Sequence, residues 1–367
     1  MATLLRADER FERIIVICTR QIGDVLLTTP LIAAAKERWP DATIDVLGFG
    51  GTLGMLRGNR DVAELIEVPA GSGWVASRRL IRRLWRRYDL ALIAQYSDRA
   101  HLYGFAAAKC RSGQVTDEPK SWWKRALLDH RVRMNDDQSH SVVEKLRLLA
   151  PWIEPRGARL VAPPATPLPV EVAAALRAPY AVLQAPAAVA YKLWPMSHWR
   201  ALVAALVARG LQVVLTGAPS AGDRALVAAV AEGHASSQVL DVAGRLDLNQ
   251  VGALLRGAML YVGGDTSITH LAAACDVPLV ALYGPVDPRY FGPWPPNPTL
   301  AVPYRSHALV QRVGPVTVLQ GAPACVPCNR AGCEDRNDSP SVCLQTLPPA
   351  RVIAQVDRIL GRAAERQ

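Results

Sequence analysis

The chain has 367 residues, half of them hydrophobic, and its 42 lysines and arginines outnumber 32 aspartates and glutamates for a formal charge of +10. That length suits two domains, each able to bury its own core, and no apolar stretch approaches the roughly 18 to 20 residues of a membrane helix. Residues 1–13 are charged and lead into an apolar run too short for a signal-peptide core, so the expected location is cytoplasmic. The basic excess favours an anionic partner, such as phosphorylated sugars, acidic lipid head groups or nucleic acid; an arginine-rich solvated surface is the competing account.

In chain order, residues 14–18 form a continuous apolar run that reads as a first strand. A helix is expected over 24–39, where Val25, Leu26, Pro30, Leu31, Ala34 and Ala35 recur at helical spacing. Strands follow at 43–47, 65–68 and 90–94. Between the last two, residues 77–87 form an amphipathic helix, with Leu80, Ile81, Leu84 and Trp85 on one face and Arg78, Arg79, Arg82, Arg83, Arg86 and Arg87 on the other. Residues 154–169 hold five prolines and little periodicity, as a linker does. The second half repeats the rhythm, with strands at 180–184, 212–216, 239–242, 259–262 and 278–283 and helices at 197–209 and 224–232. A last helix is expected over 348–362, free to cross back onto the first domain. Alternating strands and helices imply parallel sheets covered on both faces. The fold class is therefore α/β, with two doubly wound Rossmann-like domains facing a central cleft where such sheets bind ligands.

Two constellations carry chemistry. Gly23-Asp24 is expected in the turn between first strand and first helix. There a carboxylate serves either as a base facing the ligand or as a helix cap. In residues 261–272 (YVGGDTSITHLA), a strand ends in two glycines and a helix begins at Asp265 or Thr266. Exposed amides at a helix start suit a diphosphate, and small residues admit it to the backbone. His270 falls one turn into that helix, facing the ligand or packing in the core. The glycines Gly48, Gly50, Gly51 and Gly54 have the wrong spacing for a dinucleotide fingerprint and follow the second strand, so they mark a turn.

These segments resemble glycosyltransferase family 9, whose members include the lipopolysaccharide heptosyltransferases. Residues 19–30 (TRQIGDVLLTTP) resemble its first-loop motif, 264–288 (GDTSITHLAAACDVPLVALYGPVDP) its donor-diphosphate motif, and Tyr191-Lys192-Leu193-Trp194-Pro195 its Lys-x-Trp-Pro segment. The matches are colinear and span most of the chain. The resemblance implies a GT-B fold, with an acceptor domain over 1–160, a donor domain over 170–346 and a C-terminal helix over 347–367. It implies inverting transfer from a nucleotide diphosphate sugar, usually ADP-heptose, with no cofactor required for catalysis. Asp24 would be the base and Lys192 would hold a donor phosphate. Gly23, Gly264, Asp265, Thr266, Ser267 and His270 would line the donor site, Leu246 would cover the base, and Asp223 would take the ribose. The segment before Lys192, Gln184-Ala185-Pro186-Ala187-Ala188-Val189-Ala190, lacks the hydroxyl residues common there, which directs phosphate contacts to backbone amides.

Four of the seven cysteines, Cys325, Cys328, Cys333 and Cys343, lie within 19 residues. Four thiolates suit a structural zinc or iron, but the later spacing is irregular for zinc, and an unmetallated loop is the equal alternative. Cys18, Cys110 and Cys275 read as small core residues. Basic and aromatic residues mix at 120–125 (KSWWKR). With Arg82 and Arg86, Lys120 and Lys124 make the first domain a candidate surface for an anionic glycolipid at the cytoplasmic face of the inner membrane; ordinary charged helix faces are the alternative. The leading expectation is heptose transfer from ADP-L-glycero-D-manno-heptose to the lipopolysaccharide inner core. The alternatives are the same chemistry on a protein or small-molecule acceptor, and a non-catalytic nucleotide-sugar-binding protein. Basic residues scattered through both halves argue against a nucleic-acid partner.

Overall fold

The computed structural model describes residues 8–69, 74–134, 139–154, 159–296 and 302–365. Residues 1–7 of the charged N-terminus and 155–158 of the expected linker lie outside the described residues. The chain divides into two units, meeting in sequence at Pro163 and Pro164.

In the first unit the elements run β1 (Arg13–Ile17), α1 (Ile22–Leu26), α2 (Thr29–Arg38), β2 (Thr43–Phe49), β3 (Glu64–Val68), α3 (Trp74–Leu84), β4 (Tyr88–Ile93), α4 (Asp98–Ala107), β5 (Ala108–Val115), α5 (Trp122–Leu127), β6 (His130–Arg133) and α6 (Ser141–Leu146). The sheet order is β3-β2-β1-β4-β5-β6, all parallel. β1 is central, and its residues Ile14 to Ile17 are fully buried, as β-branched residues are in a strand covered on both faces. Ile15, Ile17, Ala91 and Ile93 pack with Leu80 and Leu84 of α3 and Tyr103 of α4. The order reverses between β1 and β4, and the crevice outside their carboxyl ends is where a doubly wound sheet binds ligands.

The second unit comprises α7 (Val170–Ala175), β7 (Tyr180–Gln184), α8 (Met196–Ala208), β8 (Gln212–Thr216), α9 (Ala221–Ala231), β9 (Val239–Asp241), α10 (Leu248–Arg256), β10 (Leu260–Gly264), α11 (Ser267–Ala274), β11 (Leu279–Tyr283), α12 (Pro288–Phe291), β12 (Val310–Val313), β13 (Val316–Gln320), α13 (Val342–Gln345) and α14 (Pro349–Ala364). Its sheet order is β12-β13-β11-β10-β7-β8-β9, parallel except for edge strand β12. Here the switch falls between β7 and β10. α14 packs on α8 within this unit: Val352 and Val356 join the core that holds Trp199 and Leu202, and Arg209 grips Asp357 at 2.6 and 2.9 Å.

Three local expectations are corrected. The helix expected over 24–39 begins at Ile22 and breaks after Leu26. Pro30 has no N–H to give the Leu26 carbonyl, which instead accepts from Thr29 Oγ1 at 2.8 Å. Trp85, assigned to the apolar face of its helix, is 56% exposed, because α3 ends at Leu84 and Arg86 takes a left-handed φ of 51°. The parallel sheets also extend beyond the strands read from sequence, through β5, β6 and the β12–β13 hairpin, whose turn at Gly314 has a φ of 58°.

Candidate active site

At the first switch point, β1 leads through Cys18, Thr19 and Arg20 into α1. Asp24 is therefore the third residue of that helix and lies within its first turn, not in the turn before it. Gln21 is the N-cap, so Asp24 does no capping. Its carboxylate is 12% exposed and lies 3.5 Å from Arg20 Nε, while the Arg20 guanidinium stands 5.9 Å over the Tyr96 ring. Gly23 is buried beside it. After β4, Gln95 Nε2 donates to Thr19 Oγ1 at 2.5 Å and Ser97 Oγ at 2.6 Å, tying the two switch-point turns together. Thr19, Arg20, Gln95, Tyr96 and Ser97 line a pocket of about 160 Å³, room for several water-sized groups. Beneath it, burial and the Asp24 charge push the Cys18 thiol up to about 12, so it stays protonated.

The basic residues expected to meet an acceptor separate by topology. Lys124 is buried, donates to the Tyr96 carbonyl and pairs with Asp98, both at 2.9 Å, and so props the turn after β4. Lys120 is exposed beside Glu118 at 3.0 Å, beyond the carboxyl end of β5. Trp122 is 66% exposed. Arg82 lies in the last turn of α3, and Arg86 donates to the Ala108 carbonyl at 3.2 Å. Both precede β4 and stand at its amino end, about 20 Å of strand from the pocket. The topology thus removes them from this site.

At the second switch point, the residues after β7 and β10 converge. Lys192 Nζ meets Asp265 Oδ2 at 2.6 Å, with the carboxylate 9% and the lysine side chain 25% exposed. Tyr283 Oη stands 3.4 Å from Asp265 Oδ1 and 2.8 Å from the Phe291 carbonyl. Burial and the Asp265 charge hold this phenol well above its ordinary pKa, so it stays a donor. Thr266 is the N-cap of α11 without a side-chain capping bond, and Ser267 opens the helix. Thr269 braces the turn by donating to the Gly264 carbonyl, and its hydroxyl lies 2.8 Å from Tyr261 Oη. A Cβ on Gly264 would stand 3.2 Å from the Lys192 carbonyl, and one on Gly263 would collide with Tyr261 Oη. The two glycines thus permit the close approach that the strand end requires. His270 is 5% exposed, one turn into α11.

Beside this pair, the turns after β8 and β9 are joined by Gly244 N donating to the Gly217 carbonyl at 2.9 Å. Gly244 has a φ of 69°, and a Cβ there would come 2.7 Å from Pro219 Cα. Leu246 follows at intermediate exposure. Asp223 binds its own turn, accepting from Ala218 N at 2.8 Å and Ser220 Oγ at 2.9 Å. Its loop-holding role was not read from sequence. Of the amides before Lys192 that were expected to meet phosphate, the one nearest the lysine is engaged within the protein. Ala190 N already donates to the Asn337 carbonyl at 2.9 Å, and Lys192 N to the Val189 carbonyl at 3.2 Å.

Cys325, Cys328 and Cys333 are exposed and Cys343 is buried, all as free thiols. Among the described residues no group of three or more His, Cys, Asp or Glu side chains is arranged to hold a metal ion. The expected zinc or iron thus gains no support. Burial, reinforced by the other three cysteines, raises the Cys343 thiol to about 11.

Sequence reasoning missed Arg20, Gln95 and Asp287. The signal for Arg20 was its four-residue spacing from Asp24. Gln95 gave none, since only strand pairing brings it to Thr19. Asp287 is 1% exposed, pairs with Arg289 at 2.7 Å and accepts from Ser306 Oγ at 2.9 Å, fixing the turn after β11.

The sequence pattern of glycosyltransferase family 9 (heptosyltransferase) matches residues 77–311. Lipopolysaccharide heptosyltransferase 3 of Escherichia coli is 29% identical over 92% of this chain and 96% of its own length. The protein of the same name from Escherichia coli strain K12 is 30% identical over 76% of this chain and 84% of its own length. Among solved structures, Escherichia coli ADP-heptose lipopolysaccharide heptosyltransferase II superposes with a TM-score of 0.72 at 21% identity, covering 96% of this chain and 99% of that one. With two doubly wound units of this sheet order, the chain belongs to glycosyltransferase family 9 and has the GT-B fold.

Proposed function

We propose that this glycosyltransferase moves a heptose from ADP-L-glycero-D-manno-heptose to a hydroxyl of the lipopolysaccharide inner core, with inversion at the anomeric carbon. The observation that carries the reading is the Lys192–Asp265 pair at the start of α11, a cation and a row of helix-start amides at one switch point. The lipopolysaccharide heptosyltransferases that match nearly the whole chain support the choice of sugar and acceptor.

The reaction is a direct displacement. Asp24 takes the proton of the acceptor hydroxyl, whose oxygen attacks the anomeric carbon as the bond from that carbon to the diphosphate oxygen breaks. The leaving diphosphate gathers charge, and Lys192 with the amides of Thr266 and Ser267 meets it. These groups supply the charge stabilisation within the protein, so the proposed step needs no cofactor. Asp265 and His270 line the sugar side, and Leu246 covers the adenine. The ribose falls to Asp223 through whatever acceptor capacity its own turn leaves. Arg20 holds Asp24, while Lys120, Trp122 and Lys124 border the acceptor side. An inner-core acceptor is an anionic glycolipid, so the work would be done at the cytoplasmic face of the inner membrane. No helix among the described residues is long and apolar enough to cross it.

The test is turnover of ADP-heptose with a purified inner-core acceptor, paired with calorimetric binding of ADP. Asp24→Ala should bind ADP as the wild type does and lose about 10²- to 10⁴-fold in turnover, the usual contribution of a general base. Near-normal turnover by that variant would remove Asp24 from the mechanism. Absence of any product from ADP-heptose would remove the donor.

A further inference from the structure

The segment that carries Lys192 has little structure of its own. Between β7 and α8 it makes one short turn, Ala190–Lys192, and its side chains before Tyr191 are alanine, valine and proline. A lysine there has a flexible stem and a backbone outside any sheet ladder. Its order comes from elsewhere in the unit. Ala190 N donates to the Asn337 carbonyl at 2.9 Å, and Ser341 Oγ donates to the Tyr191 carbonyl at 2.9 Å. Gln345 Nε2 donates to the Leu193 carbonyl at 3.4 Å, and Trp194 Nε1 to the Leu347 carbonyl at 2.8 Å. These bonds hold two residues before Lys192 and two after it, all from the segment that continues the cysteine cluster.

That segment is itself firmly seated. Gly284 follows β11 and Gly321 follows β13. A Cβ on Gly321 would collide with the Cys343 carbonyl, and one on Gly284 would stand 2.9 Å from Leu344 Cγ. Leu344 and Leu347 are 1% exposed and share a core with Trp194. Cys333 Sγ accepts from Val342 N at 3.3 Å, and Asn329 bonds Pro285 and Asp287 across the turn after β11.

We propose that the C-terminal part of the cysteine-rich segment is a latch that sets Lys192 for the donor diphosphate, with Ser341 as a positioning residue. The proposal rests on the donor role given to Lys192 above. It assigns the segment a purpose that needs no metal: it fixes the backbone on either side of Lys192, so the ammonium is presented with less conformational entropy to lose on binding. Ser341 is 1% exposed, and removing its hydroxyl leaves the Tyr191 carbonyl without that partner while changing little volume.

The test is a double-mutant cycle on the full chain, read by calorimetric ADP binding. Ser341→Ala should raise the ADP Kd about three- to tenfold, as loss of a single buried hydrogen bond implies, and Ser341→Thr should restore it. In a Lys192→Ala background, Ser341→Ala should change Kd by less than about twofold, because there is no ammonium left to position. Gln345→Ala, at an exposed residue, should show a smaller loss with the same dependence on Lys192; it serves if Ser341→Ala does not fold. Equal losses in both backgrounds would mark a general structural role and overturn the latch, as would an unchanged Kd in Ser341→Ala. Wild-type protein that fails to bind ADP would instead overturn the donor reading, and the latch with it.

Discussion

Lys192→Ala tests the donor site most directly. In the structure the ammonium sits 2.6 Å from Asp265 Oδ2, with the carboxylate 9% exposed. Two unit charges 4 Å apart interact by about 4 kcal/mol at an effective dielectric of 20, which bounds what the lysine can offer one phosphate charge. It must share itself with Asp265 and shed water, so the net figure falls to the roughly 1.5–3 kcal/mol of a hydrogen bond to a charged group. That corresponds to a loss of about 10- to 150-fold in affinity for ADP. The upper part of the range is expected, because the substitution also leaves the Asp265 carboxylate facing the diphosphate without its partner. Adding Asp265→Asn removes that repulsion, so the double variant should bind ADP more tightly than Lys192→Ala alone. Isothermal titration with ADP, which lacks the sugar, reads both steps free of any contact between Asp265 and the heptose. A Kd within twofold of wild type for Lys192→Ala, or a double variant weaker than the single, would refute the reasoning.

Gly264→Val places a branched side chain where a Cβ alone would come 3.2 Å from the Lys192 carbonyl. The overpacking should cost about 1–3 kcal/mol of stability and weaken ADP binding, seen as a lower unfolding midpoint with a raised Kd; an unchanged Kd would separate the glycine from the lysine. His101 gives a pH dependence. Its ring is 1% exposed, and burial holds its pKa below the ordinary 6.5, with Nδ1 2.9 Å from the Ser97 carbonyl. The unfolded chain therefore takes up the proton first as pH falls, so the contribution to stability is complete above about pH 6.5 and is lost as pH drops through the folded value. Denaturant unfolding at pH 7.5 and 5.5 should show a steeper loss for wild type than for His101→Gln, and equal slopes would exclude His101 as the titrating group.

Much of the second unit was legible because its signals are local. The run Tyr261-Val262-Gly263-Gly264 ends in glycines, and Asp265-Thr266 precedes a helical pattern, so strand, turn and helix start could be placed to within a residue or two. The first unit was harder. Asp24 was placed in the turn at the helix start, whereas α1 already begins two residues earlier at Ile22, and the break after Leu26 was not legible because it depends on the Thr29 hydroxyl taking over a carbonyl bond. The arginines Arg82 and Arg86 were grouped with Lys120 and Lys124 by charge. Helical periodicity reports which face a residue occupies and says nothing of which end of a strand that face adjoins. Strand direction supplies that answer, sending Arg82 and Arg86 to the amino end of β4.

By itself, the sequence determined the α/β class, two units, the family, and the residues with charge and chemistry at the strand ends. Hydrophobic period, glycines and helix starts are written within a few residues of one another, so these features need no fold to be read. The tertiary structure decided which residues became neighbours: Lys192 with Asp265 across 73 positions, Gln95 with Thr19 across 76, and Ser341 with Tyr191 across 150. Those pairings depend on parallel strands bringing distant carboxyl ends side by side, and on a C-terminal segment returning along them. It also set the burial of the four cysteines, Cys343 buried and Cys325, Cys328 and Cys333 exposed, since spacing along a chain does not fix how deeply each thiol lies.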